Sequence, residues 1–180
     1  MTTALIVIDV QQGFDDPRWG PRNNPECETN IRALVDHWRE TQQPIVLVRH
    51  DSTSAGSPLA PGQPGNDFKP GIDGAHDLLI SKHTNSAFYG TPSLDGWLRE
   101  SHITDVVICG ISTDHCCSTT ARMAANLGYS VTFALDATHT FDRSLPDGTT
   151  IPAETVFQVN AASLSEEFAT IRSTAELTAS

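Results

Sequence analysis

Residues 105–128 read DVVICGISTDHCCSTTARMAANLG, and this stretch decides the fold. DVVICG (105–110) is a short apolar run rich in β-branched residues. It lacks the polar alternation of a half-exposed strand, so it is expected to be buried on both faces. CCSTTARMAANLG (116–128) reads as a helix closed by Gly128. A buried strand, a tight turn and a helix in succession form the start of a βαβ unit, which needs a parallel partner strand.

The flanking sequence repeats the pattern. ALIVIDV (4–10), PIVLVRH (44–50), DLLIS (77–81), SVTFALDA (130–137) and EFATIRST (167–174) read as further strands. Residues 26–41 place Ile31, Leu34, Val35 and Trp38 at helical spacing. TPSLDGWLRES (91–101) reads as a helix with Thr91 as N-cap and Pro92 at its first position, and 152–164 as a last helix. Strands alternating with helices predict a three-layer α/β domain with a mostly parallel sheet, spanning 1–180 as one unit. Residues 52–76 are rich in Pro and Gly and form a long excursion, of the kind that serves as a lid or an interface.

Composition narrows the function. The 180 residues carry a formal charge of −11. That opposes nucleic acid or an anionic membrane surface as partner, because phosphate binding needs clustered Lys and Arg. No stretch is long and apolar enough to span a bilayer, and MTTALIVIDVQQGF lacks the basic start of a signal peptide. Cys27, Cys109, Cys116 and Cys117 form no CxxC pair, which points to thiols in a reducing cytoplasm.

Three chemistry-bearing residues fall at strand ends: Asp9 after the first strand, Lys82 after the third and Cys116 after the fourth. In a parallel sheet, ligands bind beyond the carboxyl ends of the strands, so all three are expected on one edge. Free cysteine titrates near ~8.5, and a helix start or a neighbouring cation favours the thiolate. Lys82 would thus activate Cys116, and Asp9 would accept the thiol proton and later that of water. Singly, each residue has a plain structural role: Asp9 as a loop cap, Lys82 as a solvated lysine, Cys116 as a small core residue.

GISTDHCCSTTARMAANLGYSV resembles the nucleophile motif of the isochorismatase-like cysteine hydrolases, matching at Gly110, Ile111, Ser112, Thr113, Cys116, Thr120, Ala121 and Arg122. LIVIDVQQGF resembles that family's first-strand motif, ISKHTNSAFYGT its lysine motif, and DATHTFD (136–142) the segment after the fifth strand. The resemblance runs from about residue 4 to about 173. It implies a six-stranded parallel sheet in Rossmann-like order, with Cys116 as nucleophile, Asp9 as base and Lys82 as activating cation. It also implies a cis peptide before Ser112, and an oxyanion hole formed by the N–H groups of Ser112 and Cys116. Cys117, a helical step of about 100° away, is expected to pack in the core.

The reaction expected is hydrolysis of a C–N bond in a small amide, imide or ureide through an acyl-enzyme. The pocket is expected to involve Phe14, Trp19, Asn85, Phe88 and Phe141, with Trp19 and Arg22 as a lid. A vinyl-ether hydrolase and a thiol sensor using Cys116 and Cys117 are the alternatives. Nicotinamidases of the family begin a metal site with Asp-x-His after the second strand. Here Asp51 is followed by Ser52 and Thr53, so no metal or other cofactor is expected. His50 and His83 read as structural or surface residues. The resemblance and segment 52–76 together point to a homo-oligomer, a dimer or tetramer.

Overall fold

The computed structural model describes residues 2–179. The strands are β1 (Thr3–Ile8), β2 (Ile45–His50), β3 (Leu78–Lys82), β4 (Asp105–Ile111), β5 (Ser130–His139), the short β6 (Arg143–Ser144) and β7 (Thr150–Ile151), and β8 (Thr170–Arg172). The helices are α1 (Cys27–Glu40), α2 (Leu94–Glu100), α3 (Ser118–Asn126), α4 (Ala153–Leu164) and α5 (Thr174–Thr178). Six strands form one sheet in the order β3-β2-β1-β4-β5-β8, each neighbouring pair parallel. The mostly parallel α/β fold read from the strand–helix alternation is the fold observed, with the six-stranded, Rossmann-like order that the resemblance implied.

Alternation along the strands separates two cores. Ala4, Ile6 and Ile8 face α2, α3 and the end of α4, whereas Leu5 and Val7 face α1. The helical spacing read for α1 holds: Cys27, Ile31, Leu34, Val35 and Trp38 are its buried residues. Trp38 also donates its indole N–H to the Thr3 carbonyl at 2.9 Å, fixing the helix to the start of β1. Leu34 is fully buried, so Leu34→Ala would cost about 2–5 kcal/mol.

Strand order reverses between β1 and β4, so the crevice of the fold opens there. These two strands approach closely at Gly110, whose φ is +131°. A Cβ on Gly110 would sit 2.0 Å from the Ile8 carbonyl oxygen. No other residue type allows this backbone and this approach together.

Several boundaries differ from the sequence reading. The first strand ends at Ile8, and Asp9 follows in the left-handed region at φ 52°. Thr91 does not cap α2. It pairs with Ser81 through two backbone hydrogen bonds of 2.9 Å, extending the β3 edge, and the Thr91–Pro92 bond is cis. Ser93 is the cap, its Oγ accepting from the Gly96 amide. The last strand shrinks to Thr170–Arg172, because Ser165–Ala169 forms a turn. The hairpin β6–β7 was not anticipated.

Segment 52–76 lies against the body of the protein. Gln11, fully buried, donates its side-chain amide to the carbonyls of His50 and Asn66, and Asn66 donates to the Leu59 carbonyl and to Asp51. Leu59, Asn66, Lys69 and Ile72 are buried as a result.

Candidate active site

Asp9, Lys82 and Cys116 converge at the carboxyl edge of the sheet, as the strand ends required. Asp9 is turned off β1 by its left-handed backbone, a conformation Asp tolerates better than most residues. Its amide still bonds the Val48 carbonyl, so the residue is fixed to β2 as well. Lys82 pairs in register with His50 and extends past β2 toward β1. Cys116 lies in one π turn (Thr113–Cys117), closed by the Cys117 amide on the Ser112 carbonyl at 3.2 Å. Such turns recur at functional sites. The sequence reading began the helix at Cys116, but α3 begins at Ser118.

Lys82 Nζ donates to Asp9 Oδ2 at 2.5 Å, to Cys116 Sγ at 3.4 Å, and meets His50 Nδ1 at 3.3 Å. An ammonium group has three N–H donors, and these are three acceptors. His50 Nδ1 therefore carries no proton in this arrangement, and the neutral ring carries it on Nε2. Burial and the Lys82 charge hold the His50 imidazole below its ordinary pKa. Burial disfavours the charged form of Lys82, but the adjacent Asp9 and Cys116 outweigh it and keep the ammonium protonated.

Asp9 is fully buried and its Oδ1 has no hydrogen-bond partner. An orphaned buried acceptor costs about 1–3 kcal/mol, so its presence calls for a reason. Burial raises the carboxyl pKa despite the facing Lys82. The Cys116 thiol is also raised, first by burial, then by the Asp9 charge, with Lys82 opposing both. The helix start and Lys82, expected to favour the thiolate, are thus outweighed by burial and the Asp9 charge. Cys116 Sγ also lies 3.7 Å from Asn85 Oδ1.

The cleft over Cys116 encloses about 490 Å³, including its open mouth. Phe14, Trp19, Phe141 and Leu59 form its apolar side. The three rings pack on one another at centroid distances of 5.3–6.3 Å, and the Trp19 indole N–H donates to the Gly13 carbonyl. His50, Asn85, Ser112, His115 and Arg143 form the polar side. The Ile111–Ser112 peptide is cis, as the resemblance implied.

Of the anticipated pocket residues, Phe14, Trp19, Asn85 and Phe141 line the cleft and Phe88 does not. Phe88 stacks on Tyr129 at 5.9 Å and packs against the core, because the short turn at Ala87–Tyr89 directs it toward α3. Arg22 forms no lid: its guanidinium grips both oxygens of Glu28 at 2.7 Å. His83 is exposed and bonds the Asp51 carbonyl at 2.6 Å, whereas His50 belongs to the site. Cys117 is fully buried in the core, as expected. Arg143, His115 and Leu59 were missed. Only their neighbourhood to a motif or to the Pro/Gly-rich excursion could have pointed to them.

A carboxylate oxygen of Asp9, a nitrogen of His50 and Cys116 Sγ lie within 4.8 Å of one another, a donor set that suits zinc. The Lys82 ammonium already contacts all three residues, so it holds the position a metal would take. Asp51, where a nicotinamidase-type site would begin, is held by Arg49 at 2.9 Å and Asn66 at 3.0 Å. These residues do not fit a resident metal.

The family model Isochorismatase domain matches residues 3–165. An uncharacterized isochorismatase family protein of Bacillus subtilis, YrdC, is 39% identical over 175 residues, covering 97% of this chain and 93% of its own length. Nicotinamidase 3 of Arabidopsis thaliana is 30% identical over 160 residues, covering 81% of this chain and 77% of its own. Among solved structures, an isochorismatase-family protein from Chromobacterium violaceum superposes with a TM-score of 0.94 at 38% identity, covering 99% of this chain and 92% of that one. N-carbamoylsarcosine amidase from Thermoplasma acidophilum superposes with a TM-score of 0.74 at 25% identity, covering 97% of each. With a sheet, strand order and edge cluster of this kind, and relatives that span nearly its whole length, the chain belongs to the isochorismatase family of hydrolases.

Proposed function

We propose that the protein hydrolyses a C–N bond of a small amide, imide or ureide through a covalent acyl-enzyme on Cys116. One observation carries the reading: a buried ammonium, Lys82, touches both the thiol of Cys116 and the carboxylate of Asp9, whose second oxygen is left without a partner. Two relatives, a nicotinamidase and an N-carbamoylsarcosine amidase, bear names of C–N hydrolases, which supports the bond class.

In the proposed sequence, Asp9 takes the proton of the Cys116 thiol as the sulfur attacks the substrate carbonyl. The S–C bond forms and the carbonyl oxygen gains the negative charge, held by the N–H groups of Ser112 and Cys116. Collapse breaks the C–N bond, and the proton on Asp9 leaves with the amine. Water enters, gives a proton to Asp9 and attacks the thioester. The acid departs, and the proton returns to sulfur. Lys82 stays charged throughout and fixes the geometry of base and nucleophile. The resting thiol suits this order, because its proton is removed only as the acyl bond forms.

The test is rapid quenching of the enzyme with a panel of neutral amides. Intact-mass detection of an acyl adduct on Cys116, with release of ammonia or amine, is the expected result. Release of an alcohol from an enol ether, with no adduct and no active amide, would replace this reading by ether hydrolysis. We further propose that the protein works in the cytoplasm as a homo-oligomer, a dimer or tetramer. Among the described residues no helix is long and apolar enough to cross a membrane.

A further inference from the structure

The charges around the cleft cancel in pairs. Of the side chains lining it, Arg143 is the one with a permanent charge, and Asp114 grips it from behind: Nε to Oδ2 at 2.7 Å and Nη2 to Oδ1 at 3.0 Å. Asp114 is also held by the hydroxyls of Thr140 at 2.5 Å and Ser112 at 3.0 Å. Burial would raise its carboxyl, but Arg143 and the Thr140 hydroxyl outweigh it and hold it at about 2, so it stays ionised. His50 and His115 are both held below the ordinary imidazole range by burial, and neutral at physiological pH. Under the floor, the Lys82 charge is spent on Asp9. The apolar lining is Phe14, Trp19, Phe141 and Leu59.

A substrate that brings a carboxylate would thus lose its water against aromatic rings and find no unmatched cation, which is costly. A neutral amide finds donors without that penalty. Arg143 Nη1 forms no hydrogen bond within the described protein, and His50 Nε2 carries a proton and forms none either.

Resting on the C–N hydrolase reading, we propose that the cleft selects an uncharged amide or imide, and that Asp114 is the residue that sets this preference by matching the charge of Arg143. Asp114 is a specificity residue in this assignment: it acts through Arg143 and does not touch the reacting atoms.

The decisive measurement compares two alkylating agents of one size and opposite charge character at Cys116. Iodoacetamide is neutral and iodoacetate anionic, and each leaves the same S–CH2 bond as iodide departs. Rates are read by mass at Cys116, in high salt to screen the overall negative charge of the protein. Glutathione under the same conditions gives the intrinsic ratio. The wild type should favour iodoacetamide beyond that ratio by on the order of tenfold. Asp114→Asn unmasks Arg143 and should collapse the excess by a similar factor. Arg143→Gln, which leaves Asp114 unmatched, should enlarge it, and the double variant should return to the wild-type ratio. A wild-type ratio equal to that of glutathione, or a ratio that neither single variant shifts, overturns the proposal. Should Asp114→Asn fail to fold, the wild-type and Arg143→Gln ratios still decide it. Hydrolysis separates the two readings. If no amide is turned over while the alkylation ratios hold, the reaction assignment fails and the charge matching stands. If carboxylate-bearing amides are cleaved as well as matched neutral ones, this inference alone fails.

Discussion

Two lysines, Lys69 and Lys82, are buried, and their surroundings differ. Lys69 donates to Asp15 at 2.6 Å and Glu28 at 2.7 Å, and Glu28 takes two further hydrogen bonds from Arg22. Those cations hold the Glu28 carboxyl well below the usual carboxylate range, although burial opposes them. Lys82 faces a carboxylate with one oxygen unpartnered and a pKa pushed up by burial. A fully satisfied network fastens chain segments: here the turn bearing Phe14, helix α1 and segment 52–76. An incompletely satisfied one retains an acceptor for a proton yet to be moved. On the proposed function, the contrast between saturated and unsaturated pairing separates structural from chemical use of the same residue types.

The contrast fails most visibly if Cys116 is dispensable. Cys116→Ala should lower turnover by about 10⁴-fold or more while the fold persists, and Cys117→Ala should retain most activity. Steady-state rates with circular dichroism check both. Asp9→Asn should cost about 10²–10⁴-fold, because the amide cannot take the thiol proton. If Asp9→Asn keeps wild-type rates, the unpartnered oxygen has no chemical purpose.

Titration of the thiol sharpens the point. In the wild type, alkylation of Cys116 should have its pH midpoint above the ordinary ~8.5 of free cysteine. Asp9→Asn should move the midpoint down, because a facing anion opposes the thiolate. Lys82→Ala should move it up, because a facing cation favours the thiolate. Shifts of the opposite sign would break the coupling drawn here.

The saturated network should answer in stability. The folded pKa of Glu28 is depressed, so its contribution is present above the unfolded carboxylate range near ~4.3 and is lost as pH falls through the folded value. Glu28→Gln should cost about 2–3 kcal/mol at neutral pH, with a smaller difference from wild type on acidification below about 4. Turnover should stay within about an order of magnitude of wild type. Denaturant titrations across pH measure this. The smallest effect concerns metals. Dialysis against a strong chelator should leave activity unchanged, and loss restored by zinc or iron would show that Lys82 does not hold the cation position.

Legibility in the sequence followed the range of the forces involved. The strands and α1 were readable because apolar periodicity is local and repeats, and Asp9, Lys82 and Cys116 were readable because strand ends are. Phe88 was misassigned because adjacency to the lysine motif says nothing of which way a one-turn helix points. Arg22 was misassigned because its partner, Glu28, sits on the next helix face. Arg143 and Leu59 reach the cleft from a hairpin and a loop whose paths depend on tertiary contacts. The ionisation of Cys116 was misjudged for a related reason. A helix start and a lysine can be read from sequence, whereas depth of burial and the distance to Asp9 cannot.

Gly110 has a consequence for how such a protein can change over time. Since β1 and β4 touch through bare backbone there, the strands that lead to Asp9 and to the turn bearing Cys116 are held together by main chain. The groups that line the cleft come from elsewhere: Phe14 and Trp19 from turns, Leu59 from a loop, Arg143 from a hairpin. Lineages can therefore exchange the walls one residue at a time and inherit the reaction unaltered. The same separation marks this scaffold as a base for engineered specificity, in which every designed position lies off the six-stranded sheet and Gly110 is left untouched.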